Sequence, residues 1–359
     1  MKAAIVSQGS ISSKWTITAL SRYFDEVGDI NIKDLAISLG TKGVEVYYQG
    51  KPMQHYDCIY AKGSFRYADL LRSITTVLEK KCFMPIVASA FTIGHDKLLT
   101  ALTIQQLKVP SPLTYFFAST ISAKEFLKNL PFPVMMKFPK GTHGKGVVYA
   151  ESYESAVTVL DALTALKQPF LIQEYIETGG CDIRAIVVGD RVVAAMQRKS
   201  GALDKRANIH AGGRGEKVEL DDYTKKLAIN TAKSVGAYVC AVDILQGAKG
   251  PMVIEINLSP GLQGITKYTK IDVADAIAKY LYKSTVEMKT QAKVETGKLL
   301  KEIGTDRERE QQIISNLDFR GNRILLPTAA TELSGFDEQS NVIMKMKKGS
   351  ISMEEFKIH

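Results

Sequence analysis

The sequence contains little cysteine, and the spacing of its cysteines excludes two kinds of site. The four cysteines are Cys58, Cys82, Cys181 and Cys240, and they lie far apart. The chain has no C-x-x-C pair, so it carries neither the usual spacing of zinc ligands nor a thioredoxin-type redox motif. This cysteine usage is typical of a reducing compartment, and we expect a cytoplasmic protein.

Long hydrophobic runs are also missing. The apolar stretch Ala3–Val6 near the N-terminus is too short for the core of a signal peptide and predicts a first β-strand instead. No other run approaches the roughly 18 apolar residues that a membrane-spanning helix needs. We therefore expect no membrane partner.

The composition is that of an ordinary folded protein with a basic surplus. Hydrophobic residues make up 45% of the 359 residues and charged residues 24%, which excludes bulk disorder. The length predicts two or three domains, at roughly 100–200 residues each. The net charge of +9 favours an anionic partner, but it does not choose among a nucleotide, an acidic peptide and a nucleic acid.

The first ninety residues alternate between strand-like and helix-like patterns. Apolar periodicity predicts strands at Ala3–Val6, Val44–Tyr48, Tyr56–Tyr60 and Pro85–Ala88, and helices at Trp15–Val27 and Tyr67–Leu78. This rhythm predicts a small open α/β sheet, in which ligands usually bind at the strand ends. Lys62 and Arg66 would lie at such a crevice, where either could meet a carboxylate of a ligand or simply belong to a surface loop.

The pattern changes after Pro110 and Pro112, which predict a boundary. Hairpins follow, one of them turning at Gly189-Asp190 and another near Lys249, with helices near Tyr153–Leu166 and Tyr223–Val235. The middle of the chain is therefore predicted to be mixed and mostly antiparallel. Residues 283–312 predict an exposed helix or linker, and strands at Arg323–Leu326, Val342–Met346 and Ile351–Met353 predict a small β unit.

Strand alternation singles out a group of oxygen ligands late in the chain. In the strand Met252–Asn257, Val253, Glu255 and Asn257 share one face. A hairpin that turns near Lys249 brings Asp243 nearly opposite Glu255. Two carboxylates and an amide oxygen are hard ligands that suit Mg²⁺, although either acid could instead be a charge on an exposed strand edge.

A glycine-rich segment between two predicted strands is a candidate phosphate loop. Gly141, Gly144 and Gly146 follow Lys137, and backbone amides of such a loop can approach a phosphate closely. Lys137 lies in an apolar strand, where an uncompensated ammonium group is unfavourable and a nucleotide phosphate would neutralise it. A flexible hairpin tip with an ordinary lysine is the alternative.

Two further segments could contact a nucleotide. The strand that ends in Glu174-Tyr175-Ile176 can offer backbone groups to an adenine edge, and Asp182 can accept hydrogen bonds from ribose hydroxyls. Arg206, in Lys205-Arg206-Ala207-Asn208, could clamp a phosphate with its planar guanidinium group. Solvated strand ends and a solvated basic loop are the alternatives for these two segments.

The order of these motifs along the chain resembles that of the ATP-grasp ligases. The resemblance is carried by Lys97 in His-Asp-Lys-Leu, the Lys137 strand, Gly141-Thr-His-Gly-Lys-Gly, Gln173-Glu-Tyr-Ile, Cys181-Asp-Ile-Arg, Val192-Val-Ala-Ala-Met, Arg206-Ala-Asn, Val242-Asp-Ile-Leu, Glu255-Ile-Asn and Ser259-Pro-Gly261-Leu. Over about residues 1 to 285 the chain is most similar to the RimK-like branch, which includes the ribosomal protein S6 glutamate ligase. The family pattern has a serine where this chain has Ala207, and the loop from Glu174 to Asp182 is one residue shorter than usual.

The resemblance implies a fold of α/β and α+β type with three parts. Residues 1–93 would form a pre-ATP-grasp α/β lobe, and residues 94–285 the ATP-grasp domain with a lid at about 111–176. Residues 286–359 would form a linker helix and a small β-rich extension, which faintly resembles the swapped hairpin of AbrB-type regulators.

The resemblance also implies the site residues. For ATP these are Lys97, Lys137, Gly141, His143, Gly144, Gly146, Glu174, Tyr175, Ile176, Asp182, Arg206 and Asn208. Arg206 and Lys137 would be the catalytic residues, with Arg206 and Asn208 facing the γ-phosphate. Asp243, Glu255 and Asn257 would hold two Mg²⁺ ions, with Mn²⁺ as an alternative.

The implied reaction is ATP-dependent ligation of a carboxylate to an amine through an acyl phosphate. Glutamate is the expected amine, and the acceptor would be a protein C-terminus or a small molecule. A homo-oligomer, either a dimer or a tetramer, is expected. Two alternatives stay open, namely an ATP-binding regulatory protein and a regulator that binds nucleic acid through the C-terminal extension, although nucleic acid is not an expected partner.

Overall fold

The structure is a computed structural model of the chain. It describes residues 1–41, 43–138, 146–166, 169–199, 214–303, 318–337 and 340–356. The chain divides into two compact units, Met1–Thr285 and Val286–His359. The finer boundaries expected at residue 93 and around a lid at about 111–176 stay predictions.

The strands of both units follow one numbering along the chain. They are β1 (Lys2–Ser7), β2 (Glu26–Asn31), β3 (Leu35–Gly40), β4 (Gly43–Tyr48), β5 (Lys51–Pro52), β6 (Cys58–Ala61), β7 (Thr114–Phe117), β8 (Val134–Lys137), β9 (Val147–Ala150), β10 (Phe170–Glu174), β11 (Cys181–Val188), β12 (Arg191–Lys199), β13 (Arg214–Lys217), β14 (Val239–Gly247), β15 (Gly250–Asn257), β16 (Asp318–Arg320), β17 (Arg323–Leu325), β18 (Val342–Lys347) and β19 (Ser350–Glu355).

The helices are numbered in the same way. They are α1 (Ile11–Leu20), α2 (Ala68–Leu78), α3 (Ala88–Ile93), α4 (Lys97–Gln106), α5 (Thr120–Leu127), α6 (Tyr153–Leu166), α7 (Asp222–Val235), α8 (Leu262–Thr269), α9 (Val273–Ile303) and α10 (Thr328–Ser334), with short 3₁₀ turns at Ile32–Asp34 and Phe65–Tyr67. In the part of the chain that the structure describes, no helix is both long enough and apolar enough to cross a membrane.

The N-terminal lobe contains two sheets. The first is parallel, with the strand order β2-β1-β6, and the second is antiparallel and contains β3, β4 and β5. Residues 3 to 6 of β1 are buried, as expected for the central strand of a parallel sheet that is covered on both faces. Helix α1 follows this strand, and the Oγ of Ser10 caps it by accepting a hydrogen bond from the N–H of Ser13.

Three sequence predictions for this lobe are wrong in detail. The helix predicted over Trp15–Val27 ends at Leu20, and Val27 lies in β2. The stretch Val44–Tyr48 is a strand, but it belongs to the antiparallel sheet. The segment Pro85–Ala88 is not a strand, because Ala88 already begins α3. A short apolar run can be buried in the core as a loop, a strand or a helix end, so apolar periodicity alone did not distinguish these conformations.

The body of the first unit is an antiparallel sheet with the order β13-β12-β11-β14-β15. The two predicted turns are confirmed, because Gly189-Asp190 joins β11 to β12, and β14 and β15 meet on either side of Lys249. Helix α7 packs against four of these strands. Asp221 caps its first turn, and Gly236 ends it in a left-handed conformation.

A separate antiparallel sheet precedes the body along the chain. Its strand order is β7-β10-β8-β9. Side chains from α5, α6 and the sheet form a hydrophobic cluster of their own, with Leu127, Met136 and Phe170 among its buried members. This small core is distinct from the main one, so the four strands and two helices pack as a subdomain within the first unit.

The second unit contains two hairpins and a short helix. Strand β16 pairs with β17, and β18 pairs with β19, both antiparallel, while α10 lies between them along the chain. None of the side chains that the structure describes in this unit is buried. A helix expected within 283–312 is seen as the later part of α9 up to Ile303, and residues 304–312 lie outside the described residues. The swapped-hairpin architecture stays a prediction.

Candidate active site

The predicted pairing of two carboxylates across a hairpin is confirmed. Asp243 on β14 lies directly opposite Glu255 on β15, and Asn257 lies opposite Ala241. Asp243 is buried within the sheet, whereas Glu255 and Asn257 are partly exposed at its edge. Two carboxylates and an amide oxygen at one end of a strand pair fit the ligand preference of Mg²⁺, which keeps several waters and bridges to phosphates.

A β-bulge modifies the alternation that was predicted for β15. Asp243 pairs with Glu255 while Ile244 pairs with Val253, so Ile254 has no partner across the strands. The bulge therefore interrupts the strict alternation that was predicted to place Val253 on one face with Glu255 and Asn257. Because the bulge places an extra residue in the strand, Ile254 and Val253 both line a neighbouring cavity.

Arginines surround the buried Asp243. The Nε and Nη2 atoms of Arg184 donate to the two oxygens of Asp243, at 2.8 Å and 2.6 Å. Arg198 Nη2 donates to the Oδ2 atom of the same carboxylate at 2.8 Å. Burial by itself would raise the pKa of Asp243, but the charges of Arg184 and Arg198 together hold that pKa below its usual value.

The second partner of Arg198 is Asp182. Its Nε atom donates to Asp182 Oδ1 at 2.7 Å, and its Nη2 atom donates to Oδ2. Burial raises the pKa of Asp182 above its usual range, and the nearby charge of Asp243 acts in the same direction, although Arg198 opposes both. Both oxygens of Asp182 are thus used by a side chain. Its proposed contact with ribose stays a prediction, because the structure shows Asp182 in another role.

Lys137 is held at the end of β8 by a short polar chain. Its Nζ atom donates to Gln173 Oε1 at 2.5 Å, and Gln173 Nε2 in turn donates to Thr114 Oγ1 at 2.7 Å. The pKa of Lys137 is lowered to about 8, chiefly by burial; the charge of Glu255 opposes this shift and that of Lys97 adds to it. A partly buried cation whose neighbours include a second lysine is suited to a polyanionic ligand such as a triphosphate.

A cavity lies between Lys97, Lys137 and strand β15, which carries Glu255. It is lined by the polar residues Lys97, Ser111, Thr114, Lys137 and Gln173 and by the apolar residues Ala101, Ile104, Leu171, Val253 and Ile254. Lys97 is the first residue of α4, and Asp96 caps this helix by accepting bonds from the N–H groups of Leu98 and Leu99. The structure therefore brings Lys97 and Lys137 together beside the strand that carries Glu255.

The segment Glu174–Ile176 leaves the same sheet. The N–H of Glu174 donates to the Leu113 carbonyl oxygen, and Glu174 Oε1 accepts from the Leu113 N–H, both at 2.9 Å. The Tyr175 ring meets the Tyr149 ring edge-on, with centroids 5.1 Å apart. Because the N–H of Glu174 is already used, an adenine edge would depend on Tyr175 and Ile176, and the adenine contact stays a prediction.

Several predicted ligands of ATP lie outside the described residues. They are Gly141, His143, Gly144, Arg206 and Asn208. Gly146 is described, and its φ is +77°. A β-carbon at this position would lie 2.6 Å from Phe138 Cδ2, so both the backbone conformation and the available space require glycine. Its carbonyl oxygen accepts from the N–H of Phe138 at 3.0 Å, which closes the base of the loop.

Sequence reasoning missed four polar residues of this site. Arg184, Arg198, Gln173 and Thr114 received no role, although each makes a hydrogen bond to a predicted site residue or to its partner. For Arg198 a signal was present, because a hairpin that turns at Gly189-Asp190 places residue 198 opposite Asp182. For Gln173 and Thr114 the contact depends on the pairing of β10 with β7, which local patterns did not predict.

Comparison with solved structures defines the fold. One similar structure is that of the ATP-grasp ligase PsnB complexed with a minimal precursor, Mg and ADP. The match includes 79% of this chain and 98% of PsnB, with a TM-score of 0.62 and 17% identity. A RimK domain ATP-grasp protein from Sphaerobacter thermophilus DSM 20745 covers 78% of this chain with 99% of its own, at a TM-score of 0.62 and 18% identity. The fold is therefore the ATP-grasp fold of ligases.

Sequence comparison then places the chain more narrowly. The model of the RimK-like ATP-grasp domain matches residues 94–281. Two proteins named probable alpha-L-glutamate ligase match over 82% of this chain. The one from Picosynechococcus sp. PCC 7002 is 34% identical over its full length, and the one from Vibrio cholerae O395 is 32% identical over 99% of its length.

The chain belongs to the RimK-like ATP-grasp family, and it is an ATP-dependent ligase that forms C–N bonds. Use of ATP with Mg²⁺ follows from membership of this family. The predicted family, fold class and enzyme class are thus confirmed.

Proposed function

We propose that the protein joins the amino group of glutamate to a carboxylate acceptor, at the expense of ATP. The observation that carries the proposal is the pair Asp243–Glu255, which ends beside a cavity lined by Lys97 and Lys137. Metal ligands and phosphate-binding cations on adjoining elements are what phosphoryl transfer to a carboxylate requires. The choice of glutamate is supported by relatives that are named probable alpha-L-glutamate ligases.

Each residue has a role in this proposal. Lys97 and Lys137 hold the phosphates of ATP, and Asp243, Glu255 and Asn257 hold two Mg²⁺ ions, or Mn²⁺ in their place. Bound metal neutralises charge on the transferring phosphoryl group and aligns it for attack. Tyr175 and Ile176 of the segment Glu174–Ile176 contact adenine and Asp182 contacts ribose, while Arg206 and Asn208 face the γ-phosphate.

The reaction takes two steps. In the first, an acceptor carboxylate oxygen attacks the γ-phosphorus, the bond to the bridging oxygen of ADP breaks, and an acyl phosphate forms. In the second, the glutamate nitrogen attacks the acyl carbon, inorganic phosphate leaves, and the nitrogen loses a proton. Lys137, held by Gln173, keeps its ammonium group at one place throughout, which stabilises charge without reorganisation.

Two finer statements about the protein also belong to this proposal. We place it in the cytoplasm, where ATP and glutamate are abundant and where its reduced, widely spaced cysteines are expected to persist. We expect it to form a dimer or a tetramer. Equilibrium sedimentation of the full chain measures the second statement directly, and a monomer at all concentrations would contradict it.

The experiment that tests the function measures ADP release with glutamate, Mg²⁺ and candidate acceptors, and mass spectrometry identifies the product that gains glutamate. Glu255→Gln removes a metal ligand and keeps the shape of the side chain, so we expect kcat/KM to fall about 100-fold or more. Glu151→Gln, at an exposed position, is the matched control. Full turnover by Glu255→Gln would show that the metal assignment is wrong.

A further inference from the structure

Lys62 is a buried cation that the ligase chemistry described so far does not use. It directly follows β6, and its N–H donates to the Val6 carbonyl oxygen at 2.9 Å, which places it at the carboxyl end of the parallel sheet. Only 4% of Lys62 is exposed. Of the two interpretations that the sequence left open, the surface loop is therefore wrong.

The charge of Lys62 is not neutralised by a protein carboxylate. Its Nζ atom lies 5.5 Å from the centroid of the Tyr60 ring, in a cation–π contact. Within the described ranges, no Asp or Glu side chain forms a salt bridge with it. Burial alone lowers the pKa of Lys62 to about 8, with no contribution from a neighbouring charge. An isolated buried ammonium group is costly, so its retention at this position calls for an anion that is not part of the described chain.

The same end of the sheet carries other groups suited to an anion. Helix α1 begins just after β1, and the Oγ of its residue Ser12 accepts a hydrogen bond from the N–H of Leu262 at 2.8 Å, so the first turns of α1 and α8 meet. The amino ends of helices favour negative charge. The Ser259 hydroxyl, three residues before α8 begins, is buried and finds no hydrogen-bond partner among the described residues.

This region adjoins the ligase site through the chain itself. Ser259 lies two residues after Asn257, and its N–H donates to the Oδ1 atom of Asn257 at 2.9 Å. The segment that carries the third metal-ligand candidate therefore runs directly into the junction between α8 and α1.

We propose that Lys62, together with the amino ends of α1 and α8, binds a carboxylate group of one of the two substrates that the ligase joins. This inference rests on the proposed function, because it presupposes substrates that carry carboxylates. The carboxylate could belong to the incoming amino acid or to the acceptor. The two sources share one chemistry, and the experiment separates them.

The test compares four full-length proteins, namely the wild type and the variants Lys62→Met, Lys62→Arg and Lys33→Met. Lys33 is exposed in the same lobe and serves as the matched control. Calorimetric titrations use L-glutamate, which carries an amine, and N-acetyl-L-glutamate, which is blocked at the amine and mimics an acceptor. Mg-ATP is titrated separately, so that folding and the nucleotide site are checked in every variant.

We expect Lys62→Met to raise the dissociation constant of one of the two carboxylate probes by about tenfold or more, which corresponds to one lost charge-assisted hydrogen bond. Lys62→Arg should retain most of the affinity, and Mg-ATP binding should stay unchanged in all variants. We also expect Lys62→Met to unfold at a higher temperature than the wild type, because it removes an uncompensated buried charge. The probe that is affected identifies the source of the carboxylate.

The outcomes separate this inference from the proposed function. Equal affinity of the wild type and Lys62→Met for both probes would overturn the inference, even if the enzyme ligates glutamate. A wild type that binds a carboxylate through Lys62 but adds no glutamate to any acceptor would overturn the proposed function alone. A Lys62→Met protein that unfolds earlier and still binds both probes would assign Lys62 a structural role.

Discussion

The two compact units of this chain differ in whether their ion pairs are buried or exposed. In the first unit, Asp182, Arg198 and Asp243 form a network within the protein interior, with side-chain exposures of 8%, 8% and 6%. In the second unit, Lys345 pairs with Glu354 across a hairpin, and both side chains are more than half exposed. The comparison shows that ion pairs of similar geometry contribute differently to the free energy of unfolding, because that contribution depends on whether water can replace either partner.

The units differ equally in how they treat apolar side chains. The first unit has a continuous main core that includes residues of the parallel β2-β1-β6 sheet and of the five-stranded antiparallel sheet. In the second unit, Phe319, Met344, Met346 and Ile351 are each more than half exposed. A two-stranded hairpin is marginally stable by itself, and the described hairpins of the second unit lack the buried core that the first unit has. We therefore expect matched substitutions to have large effects in the first unit and small effects in the second.

The largest contrast is expected for the two ion pairs. Arg198→Met leaves Asp182 and Asp243 buried with one guanidinium group fewer, which should lower the free energy of unfolding by about 3–5 kcal/mol. Lys345→Met should cause a change too small to resolve, because water solvates Glu354 equally well. Urea denaturation followed by circular dichroism measures both. An Arg198→Met protein as stable as the wild type would show that the network is hydrated.

Two glycines at helix ends give a second matched comparison. Gly236 ends α7 with a φ of +74°, and a β-carbon there would lie 2.4 Å from Val87 Cγ2. Gly335 ends α10 with a φ of +70°, and no described atom lies within 4 Å of the same point.

Both substitutions by alanine incur backbone strain of about 1 kcal/mol, but only Gly236→Ala adds a clash in a packed core, for a total loss of about 2–4 kcal/mol. The difference between the two variants isolates packing from backbone strain. The same denaturation experiment measures it, and equal losses would indicate that Val87 moves aside.

Burial of Lys137 predicts a dependence of ATP binding on pH. Its pKa is lowered to about 8, so the nucleotide-free enzyme loses this charge as the pH rises above 8, and ATP affinity should fall between pH 7 and pH 9. Lys137→Arg stays charged throughout this range and should flatten the dependence. Titration of Mg-ATP at each pH measures the effect, and an identical profile for both proteins would contradict the assignment.

The effect of Lys137 on stability changes with pH in the direction opposite to its effect on ATP affinity. Between pH 8 and its ordinary pKa of 10.5, the unfolded chain binds more protons at this position than the folded chain does. The free energy of unfolding should therefore rise with pH across this window, and the contribution of Lys137 is least favourable below pH 8. The slope should be smaller in Lys137→Met.

The smallest effect is expected when residues 304–359 are removed. The candidate site lies wholly within the first unit, so kcat/KM for ATP should stay within roughly twofold of the full chain, as is usual for independent domains. A gel shift with nucleic acid that weakens with salt and is lost on truncation would instead support the regulatory alternative. Loss of ligation on truncation would make the second unit part of the enzyme.

Local patterns predicted the parts of this protein whose spacing is set by one hairpin. The pairing of Asp243 with Glu255 followed from strand alternation and one turn, and it is confirmed. The periodicity of 153–166 likewise predicted α6 with its observed bounds. Prediction failed where an apolar run was too short to show a period, as at Val27, or where a bulge shifted the alternation, as at Ile254.

The sequence by itself determined the chemistry that is available: two acids and an amide on one hairpin, lysines in apolar strands, and an order of motifs that resembles the ATP-grasp ligases. Only the tertiary structure decided the electrostatic state of those groups. Arg198 reached Asp243 by way of β11, Gln173 oriented Lys137, and Lys62 became a buried cation rather than a loop residue. The reason is physical, because pKa values and charge compensation depend on desolvation and on partners distant in sequence, which no local pattern contains.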